Sequence, residues 1–370
     1  MKIKIPEHIR NITPYPPGKP LDELEREYGI TNSIKLASNE NAWGPSPQAI
    51  QAIRNHLEDL HRYPDGSSYY LTAALGEKTG FSTTQIVLGN GSNEIIEFLV
   101  KAFVQEGDEV ITSHPSFLMY QKFVQVRGGV NRVVPLKDLH HDLETITEQL
   151  SARTRLIFLD NPNNPTGTVI SPQVLRQFFR TVPEDVVVVL DEAYVDFMNP
   201  ADRVDPQKIL AREGDCCPVV FLRTFSKAYG LSGLRIGYGL MAEEIATSLH
   251  KVRQPFNINR LAQVGALAAL SDEEFYQQTL MRTRQGIDHL SREVEQLGCR
   301  SYPSQANFFL IDVGGDADRL YQAMLTQGVI VRSMSAYGFA HAIRVTVGTD
   351  QENSRFLTAL SQSLTDLGYV

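Results

Sequence analysis

The sequence predicts an α/β protein built on a mostly parallel β-sheet between helices. Two observations predict this fold, and a third indicates the number of domains. The β-branched runs are continuous rather than alternating, which is typical of strands that are buried on both faces. Stretches with helical apolar spacing separate these runs, as in strand–helix–strand units. The length of 370 residues corresponds to two or three domains at roughly 150 residues each.

We expect three regions along the chain. Residues 1–34 begin with a proline-rich stretch and form an extended N-terminal arm that packs with the small domain or with a dimer partner. Residues 35–255 form the large domain, and residues 256–370 form a smaller α+β C-terminal domain. In the large domain, strands are expected at 85–88, 109–112, 156–159, 186–190 and 219–222, and a helix at 94–104. In the small domain, helices are expected at 260–270 and 272–297, and strands at 307–313, 329–332 and 342–347.

Composition and charge exclude several classes of function. Acidic residues outnumber basic ones by 43 to 35, and the net charge of −8 argues against binding to nucleic acid or to an anionic membrane. A membrane span requires about 20 consecutive apolar residues, and every apolar run in this sequence is much shorter. The first residues lack the apolar core of a secretory signal. We therefore expect a soluble, cytoplasmic protein. The three cysteines form no C-x-x-C pair, which favours neither a disulfide framework nor a metal site.

In an open parallel sheet, ligands bind beyond the carboxyl ends of the strands. The first predicted strand leads into Gly89–Glu94, a turn of small residues before a helix. Such a turn can cradle an anion with its free N–H groups, and a plain helix cap at Ser92 or Asn93 is the alternative. The third strand leads into the loop 161–167, whose two prolines and glycine restrict the backbone. Asn164 can project from this loop into a site, unless the loop is only a rigid turn.

Two charged residues follow the next two strands. Asp191 ends a buried strand, and a buried carboxylate is costly unless it is paired. It therefore requires a cation from the protein or from a ligand, with a helix cap or a core ion pair as the alternative. Lys227 lies in the loop 223–235 among hydroxyl groups and glycines, close to Arg235. A lysine that is desolvated beside other cations has a lowered pKa and can form a Schiff base.

Together these signals describe one ligand. It carries a phosphate, an aldehyde for Lys227, a basic ring nitrogen that Asp191 keeps protonated, and a phenolic oxygen. These are the features of pyridoxal 5'-phosphate (PLP), which binds through a lysine Schiff base and an acidic partner of the pyridinium. The groups assigned to the phosphate are the turn at Gly91 with Thr224, Ser226 and Arg235, and those assigned to the phenolic oxygen are Asn164 and Tyr194.

Four motifs occur in a fixed order, Asn164–Gly167, Asp191–Tyr194, Thr224–Lys227 and Gly233–Arg235. In this order and spacing they resemble the class I and II PLP-dependent aminotransferases, a family with fold type I. The resemblance covers nearly the whole chain. Within that family the sequence is most similar to the histidinol-phosphate aminotransferases, through Thr13–Tyr15, Leu36–Asn41, Arg62–Asp65, Gly89–Glu94, and Val331–Arg332 with Arg344. The resemblance implies transamination between L-histidinol phosphate and 2-oxoglutarate, which yields imidazole acetol phosphate and glutamate in histidine biosynthesis.

The resemblance also implies a role for each residue of the cofactor site. Lys227 holds PLP as a Schiff base and then shuttles the proton, and Asp191 pairs with the pyridinium. Tyr194 and Asn164 bond the ring oxygen, and Phe117 stacks on the ring. The residues that hold the phosphate are Ser92, Asn93, Thr224, Ser226 and Arg235.

Substrate binding and assembly follow from the same resemblance. Arg344 binds the carboxylate of the amino or keto acid and, in its place, the phosphate of histidinol phosphate. Arg332 is a second donor to that phosphate, and Tyr15 of the arm closes over it. Tyr63 reaches the cofactor phosphate across a subunit interface, so a homodimer is expected. A surface ion pair is the alternative for Arg332, and packing is the alternative for Tyr15 and Tyr63.

Other functions compete with this one. An aromatic amino-acid aminotransferase, favoured by the aromatic segment 333–341, and a phosphothreonine decarboxylase share the core of Asp191 and Lys227. A nicotinamide-dependent dehydrogenase would use the turn at Gly89, but Glu94 replaces the third glycine of the dinucleotide motif. A non-catalytic PLP-binding protein would be expected to have lost Lys227 or Asp191.

Overall fold

The computed structural model describes residues 3–14, 29–211 and 216–369. The first strand, β1 (Ile34–Lys35), lies outside the main sheet. The strands of the main sheet are β2 (Ile86–Gly89), β3 (Glu109–His114), β4 (Val130–Pro135), β5 (Thr154–Asp160), β6 (Val187–Asp191), β7 (Val219–Thr224) and β8 (Gly237–Leu240). They lie in the order β2–β8–β7–β6–β5–β3–β4, and β8 is antiparallel to both of its neighbours. The predicted α/β class with a mostly parallel sheet is confirmed.

The C-terminal part contains a second, antiparallel sheet. The strands of this part of the chain are β9 (Arg300–Ser301), β10 (Phe308–Asp312), β11 (Val329–Ile330), β12 (Arg332–Ser333) and β13 (Ala342–Thr346). All of them except β11 belong to the second sheet. The sheet has the order β12–β13–β10–β9, while β11 pairs in parallel with β1. The single strand expected at 329–332 is therefore wrong, because the chain changes its partner at Val331, from β1 to β13.

Helices cover both faces of the main sheet, and the last helices of the chain pack against the C-terminal sheet. They begin with α1 (Glu7–Arg10), α2 (Pro47–Arg54), α3 (Tyr69–Thr79), α4 (Ser92–Phe103), α5 (Met119–Val126), α6 (Leu143–Glu148), α7 (Pro172–Thr181), α8 (Pro206–Leu210) and α9 (Glu243–Val252). They continue with α10 (Arg260–Ser271), α11 (Glu273–Gln296), α12 (Ala317–Leu325) and α13 (Asp350–Leu367). Within the described residues, none of these helices combines the length and the apolar composition that crossing a membrane requires.

Two apolar cores enclose the main sheet, and this explains the continuous apolar strands. Adjacent residues of β5 point to opposite faces, so Ile157 belongs to the core with α3 and α7, and Phe158 to the core with α4 and α5. The expected strands and helices agree with the observed bounds to within about two residues, apart from the strand at 329–332. Strands β4 and β8 were not expected, because β4 is a half-exposed edge strand and β8 is rich in glycine.

A third core belongs to the C-terminal part, and the segment after the arm takes part in it. Leu36 is buried in this core beside Phe309, Val345 and Phe356. The backbone of Leu36 bonds to both neighbouring strands, since its N–H donates to the Ile330 carbonyl at 2.8 Å and its carbonyl accepts from Thr346 at 2.8 Å. Leu36 therefore fixes the position of the residues that follow it, which enter the candidate site.

We predict that Leu36→Ala lowers the free energy of unfolding by about 2–5 kcal/mol, the usual cost of a cavity at a buried leucine. The measurement is thermal denaturation followed by circular dichroism. Met281→Ala is the matched control, because Met281 lies in α11 of the same region and is 51% exposed. Equal denaturation temperatures for the two variants would contradict the anchoring role of Leu36.

Candidate active site

A cavity of about 1040 Å³ lies between the main sheet and the C-terminal sheet. Asp160, Asp191 and Thr224, which end strands β5, β6 and β7, all line it. The predicted site residues that line it are Ser92, Asn93, Phe117, Asn164, Asp191, Tyr194, Thr224, Ser226, Lys227, Arg235, Arg332 and Arg344. The structure thus gathers at one place residues that are widely separated in the sequence, as expected for the carboxyl edge of a parallel sheet.

The Lys227 amine lines the cavity and is held there by backbone carbonyls. Its Nζ donates hydrogen bonds to the backbone carbonyls of Asn39 at 3.0 Å and Ser38 at 3.4 Å. Burial, followed by the positive charges of Arg344 and Arg235, lowers the pKa of Lys227 to about 7. A substantial fraction of the amine is therefore neutral and nucleophilic near pH 7.

Among the described residues, no cationic side chain donates a hydrogen bond to the buried Asp191 carboxylate. It accepts hydrogen bonds from the Tyr120 hydroxyl at 2.8 Å and from the Ala193 amide at 3.1 Å. Burial, reinforced by the charges of Asp160 and Glu192, raises the pKa of Asp191 to about 7, although the Tyr120 bond opposes this rise. The position suits a ligand that carries a positive charge, such as a protonated ring nitrogen.

Tyr120, which was not among the predicted site residues, fixes that carboxylate. Its ring is fully buried, lies parallel to Phe158 with 4.7 Å between the ring centroids, and meets Phe117 edge to face at 5.4 Å. In the sequence Tyr120 is one more aromatic residue in an amphipathic helix, which is typical of core packing. Nothing in its local sequence indicates that its hydroxyl contacts Asp191.

Polar groups from three segments meet at the Tyr194 hydroxyl. It accepts a hydrogen bond from the Asn39 amide at 2.9 Å and a longer one from Asn164 at 3.5 Å. Burial raises the pKa of Tyr194 to about 12, so the hydroxyl keeps its proton at neutral pH. Asn39 was missed as a site residue, although the Leu36–Asn41 motif contains it.

The two arginines predicted to bind substrate lie opposite each other on adjacent strands. Arg332 of β12 pairs directly with Arg344 of β13. The Arg344 guanidinium lies 5.1 Å from the centroid of the Phe308 ring and donates to the Ala37 carbonyl at 2.7 Å. It also donates to the side-chain oxygen of Asn164. These arginines form a cationic wall on the side of the cavity that faces the C-terminal sheet.

An anion cradle forms where α4 begins. Its N-cap is Gly91, whose φ of +78° is in the left-handed region, and a Cβ there would lie 2.5 Å from a guanidinium nitrogen of Arg235. The Thr224 hydroxyl donates to the Ser226 hydroxyl at 3.0 Å, and Arg235 donates to the same hydroxyl at 3.5 Å. A helix N-terminus, hydroxyl groups and a guanidinium together suit a phosphate.

Among the predicted site residues that the structure describes, Tyr63 does not line the cavity. Tyr63 is 80% exposed, and its ring stacks on Phe256 with 5.0 Å between the centroids. Tyr15 lies outside the described residues. The assignments of both residues stay predictions.

The mostly parallel sheet and a cavity that pairs a lysine amine with a buried carboxylate define an aminotransferase-type site. The profile of the family described as aminotransferase class I and II matches residues 31–360, and the chain belongs to this family.

Two relatives of known family assign the chain to a narrower group within this family. The histidinol-phosphate aminotransferase of Desulfotalea psychrophila is 66% identical over 370 residues, which cover 100% of this chain and 98% of that protein. The histidinol-phosphate aminotransferase of Moorella thermoacetica is 43% identical, and the aligned region covers 98% of this chain and 93% of that protein. Within the larger family, the chain therefore belongs to the histidinol-phosphate aminotransferases.

A solved structure agrees with this assignment. The crystal structure of histidinol-phosphate aminotransferase from Sinorhizobium meliloti, in complex with pyridoxal-5'-phosphate, matches with a TM-score of 0.91 and 27% identity. The match covers 99% of each chain.

We predict that Tyr120→Phe weakens the binding of PLP to the apoprotein about tenfold to a hundredfold, the range expected for a lost hydrogen bond to a charged group. The Tyr120 bond lowers the pKa of Asp191, so its loss moves that pKa further above 7 and leaves less carboxylate for a cationic ring. The measurement is an absorbance titration of the apoprotein at pH 7. Tyr302→Phe, outside the cavity lining, is the control, and equal affinities for the two variants would exclude this role of Tyr120.

Proposed function

We propose that the protein catalyses a PLP-dependent transamination between L-histidinol phosphate and 2-oxoglutarate, giving imidazole acetol phosphate and glutamate in histidine biosynthesis. The observation that carries this choice of substrate is the direct pairing of Arg332 with Arg344 in the cavity wall. A phosphate dianion requires more donors than one guanidinium supplies, and two arginines on paired positions that line the same cavity can supply them. The name of the relative at 66% identity agrees with this activity.

The polar groups of the cavity fit PLP. The cradle at the start of α4 suits its phosphate, Asp191 suits a protonated ring nitrogen, and Tyr194 with Asn164 suits the ring oxygen. Asn93 also lines the cavity at this cradle, and its side-chain amide can donate to a phosphate oxygen. Phe117 lines the cavity beside Tyr120, where it can pack on a ring.

Bound in this cavity, PLP supplies an electron sink for the electron pair that the substrate Cα keeps when it loses its proton. Lys227 moves that proton, because its Nζ has a pKa near 7 and can both accept and return it. Asp191 holds the proton of the ring nitrogen in place. Arg344 binds a carboxylate of one substrate and, together with Arg332, the phosphate of the other. A single site therefore serves both substrates in turn, and the kinetics are ping-pong.

The active unit is a homodimer in this proposal. The segment 57–70 carries five large apolar side chains that are each at least 48% exposed, Leu57, Leu60, Tyr63, Tyr69 and Tyr70. A second copy that covers this segment would bring Tyr63 towards the cofactor phosphate of its partner. A cytoplasmic location likewise stays a prediction from the sequence.

An aromatic amino-acid aminotransferase is the second candidate. Tyr321 and Tyr337 line the cavity on the side of Arg332, and aromatic walls accept aromatic side chains as well as imidazole. The two candidate functions share the chemistry of amino-group transfer and differ in the amino donor that the site accepts.

The deciding experiment is an absorbance titration of the yellow, PLP-loaded protein with L-histidinol phosphate in the absence of a keto acid. We expect stoichiometric bleaching of the visible band as the amino group is transferred. Lys227→Ala is the control: it should hold PLP only non-covalently and lose turnover. Bleaching by phenylalanine or tyrosine alone would move the function to the aromatic candidate. A protein that stays colourless after PLP is added would overturn the proposal.

We predict that Arg332→Ala raises the KM for L-histidinol phosphate at least about tenfold and changes the KM for phenylalanine much less. The reason is that a phosphate dianion uses both arginines, while a carboxylate is satisfied by one planar guanidinium. Steady-state kinetics with both amino donors measures the difference. Arg319→Ala is the matched control, since Arg319 is exposed on α12 and does not line the cavity. Equal losses for the two donors would remove Arg332 from the phosphate site.

A further inference from the structure

A buried hydrogen-bond chain runs from Ser113 through His141 to Asp160, behind the wall of the cavity. The Ser113 hydroxyl lies 2.6 Å from His141 Nδ1, and His141 Nε2 lies 3.1 Å from Asp160 Oδ1. The His141 and Asp160 side chains are only 1% and 5% exposed. The proposed mechanism uses neither Ser113 nor His141, so this chain of buried polar groups requires its own explanation.

The geometry fixes the direction of the bond between His141 and Asp160. His141 Nε2 faces two acceptors, the Asp160 carboxylate and the Asp160 backbone carbonyl at 3.0 Å. Nε2 therefore carries a hydrogen and donates it to Asp160. The same carboxylate accepts from the Asn163 amide at 3.1 Å and from the Asn164 backbone N–H at 2.8 Å. His141 thus sets the orientation of a carboxylate that holds the following loop.

The loop carries this constraint into the site. The backbone of Asn164 is bound by Asp160, and the side chain of Asn164 contacts both Tyr194 and Arg344. A change in the orientation of Asp160 therefore displaces a residue that lies between the proposed cofactor and substrate groups. Displacements of this kind are costly in catalysis, because the reacting groups must be held within a fraction of an ångström.

The order of these residues is that of a hydrolase triad, but their position excludes that role. Ser113 is 1% exposed, and among the described residues that line the cavity neither Ser113 nor His141 is present. A nucleophilic serine must reach its substrate. The arrangement fits a support for the Asn164 loop instead.

We propose that His141 is a positioning residue of the transamination site, which holds Asn164 in place through Asp160. This inference rests on the proposed function, because it assigns His141 to the binding of PLP and substrate. The role resembles that of outer hydrogen-bond partners at metal sites, which orient the groups that touch the ligand.

The test compares His141→Leu with His141→Gln and with His140→Leu, all at a temperature well below their denaturation temperatures. We expect H141L to raise the dissociation constant of PLP from the apoprotein about tenfold and to raise the KM for L-histidinol phosphate. H141Q should recover most of both, because the glutamine amide can donate to Asp160. His140→Leu is the matched control, since His140 is exposed and its ring contacts the Asp138 carbonyl, away from Asp160.

Two results would overturn this role. One is an H141L protein with a lower denaturation temperature but the PLP affinity and KM of the wild type, which would make His141 a packing residue only. The other is an H141Q protein as weak as H141L. Ser113→Ala serves as the second variant if H141L does not fold. We expect this variant to raise the dissociation constant of PLP about twofold to threefold. An unchanged dissociation constant would contradict the role of His141. A wild-type apoprotein that does not bind PLP would overturn the proposed function itself.

Discussion

The burial of Asp191 is the constraint on which the site depends. Strand β6 brings this carboxylate to a place where both of its hydrogen-bond donors are neutral, and burial raises its pKa to about 7. A ligand with a cationic ring supplies the missing charge and lowers that pKa again. Part of the affinity for such a ligand therefore comes from pairing the buried negative charge of Asp191, whose desolvation already destabilises the ligand-free protein. A neutral ring of the same shape does not gain this part of the binding free energy.

Burial also shifts the pKa of Lys227, but in the direction expected for a group that is positively charged when protonated. Burial lowers its pKa to about 7, and the next largest contribution is the positive charge of Arg344. The arginines that are proposed to bind anions thus also lower the pKa of Lys227 and keep its amine partly neutral. Binding of an anionic substrate offsets their charge and raises the proton affinity of the amine. The cavity in this way links anion binding to the protonation of its base.

The sequence predicts the parts of the site whose signals are local. Asp191 ends an apolar strand, Asn164 lies in a proline-rich loop, and Lys227 lies in a loop of hydroxyl groups and glycines, so turn chemistry and strand ends indicate all three. Tyr120 and Asn39 give no such signal, because their partners, Asp191 and Tyr194, are 71 and 155 positions away in the chain. The same limit applies to the glycine-rich strand β8, which is a strand because its neighbours supply the hydrogen bonds.

The bond between Arg344 and Asn164 connects the two halves of the cavity. Arg344 belongs to the C-terminal sheet, whereas Asn164 follows a strand of the main sheet, and the Ala37 carbonyl binds the same guanidinium. An incoming phosphate or carboxylate shares this guanidinium with the Asn164 oxygen. Substrate binding therefore changes the surroundings of Asn164, and through the Tyr194 hydroxyl it reaches the groups that face the cofactor ring. Because these contacts are shared, recognition of the substrate anion and tuning of the cofactor site are not independent properties of this fold.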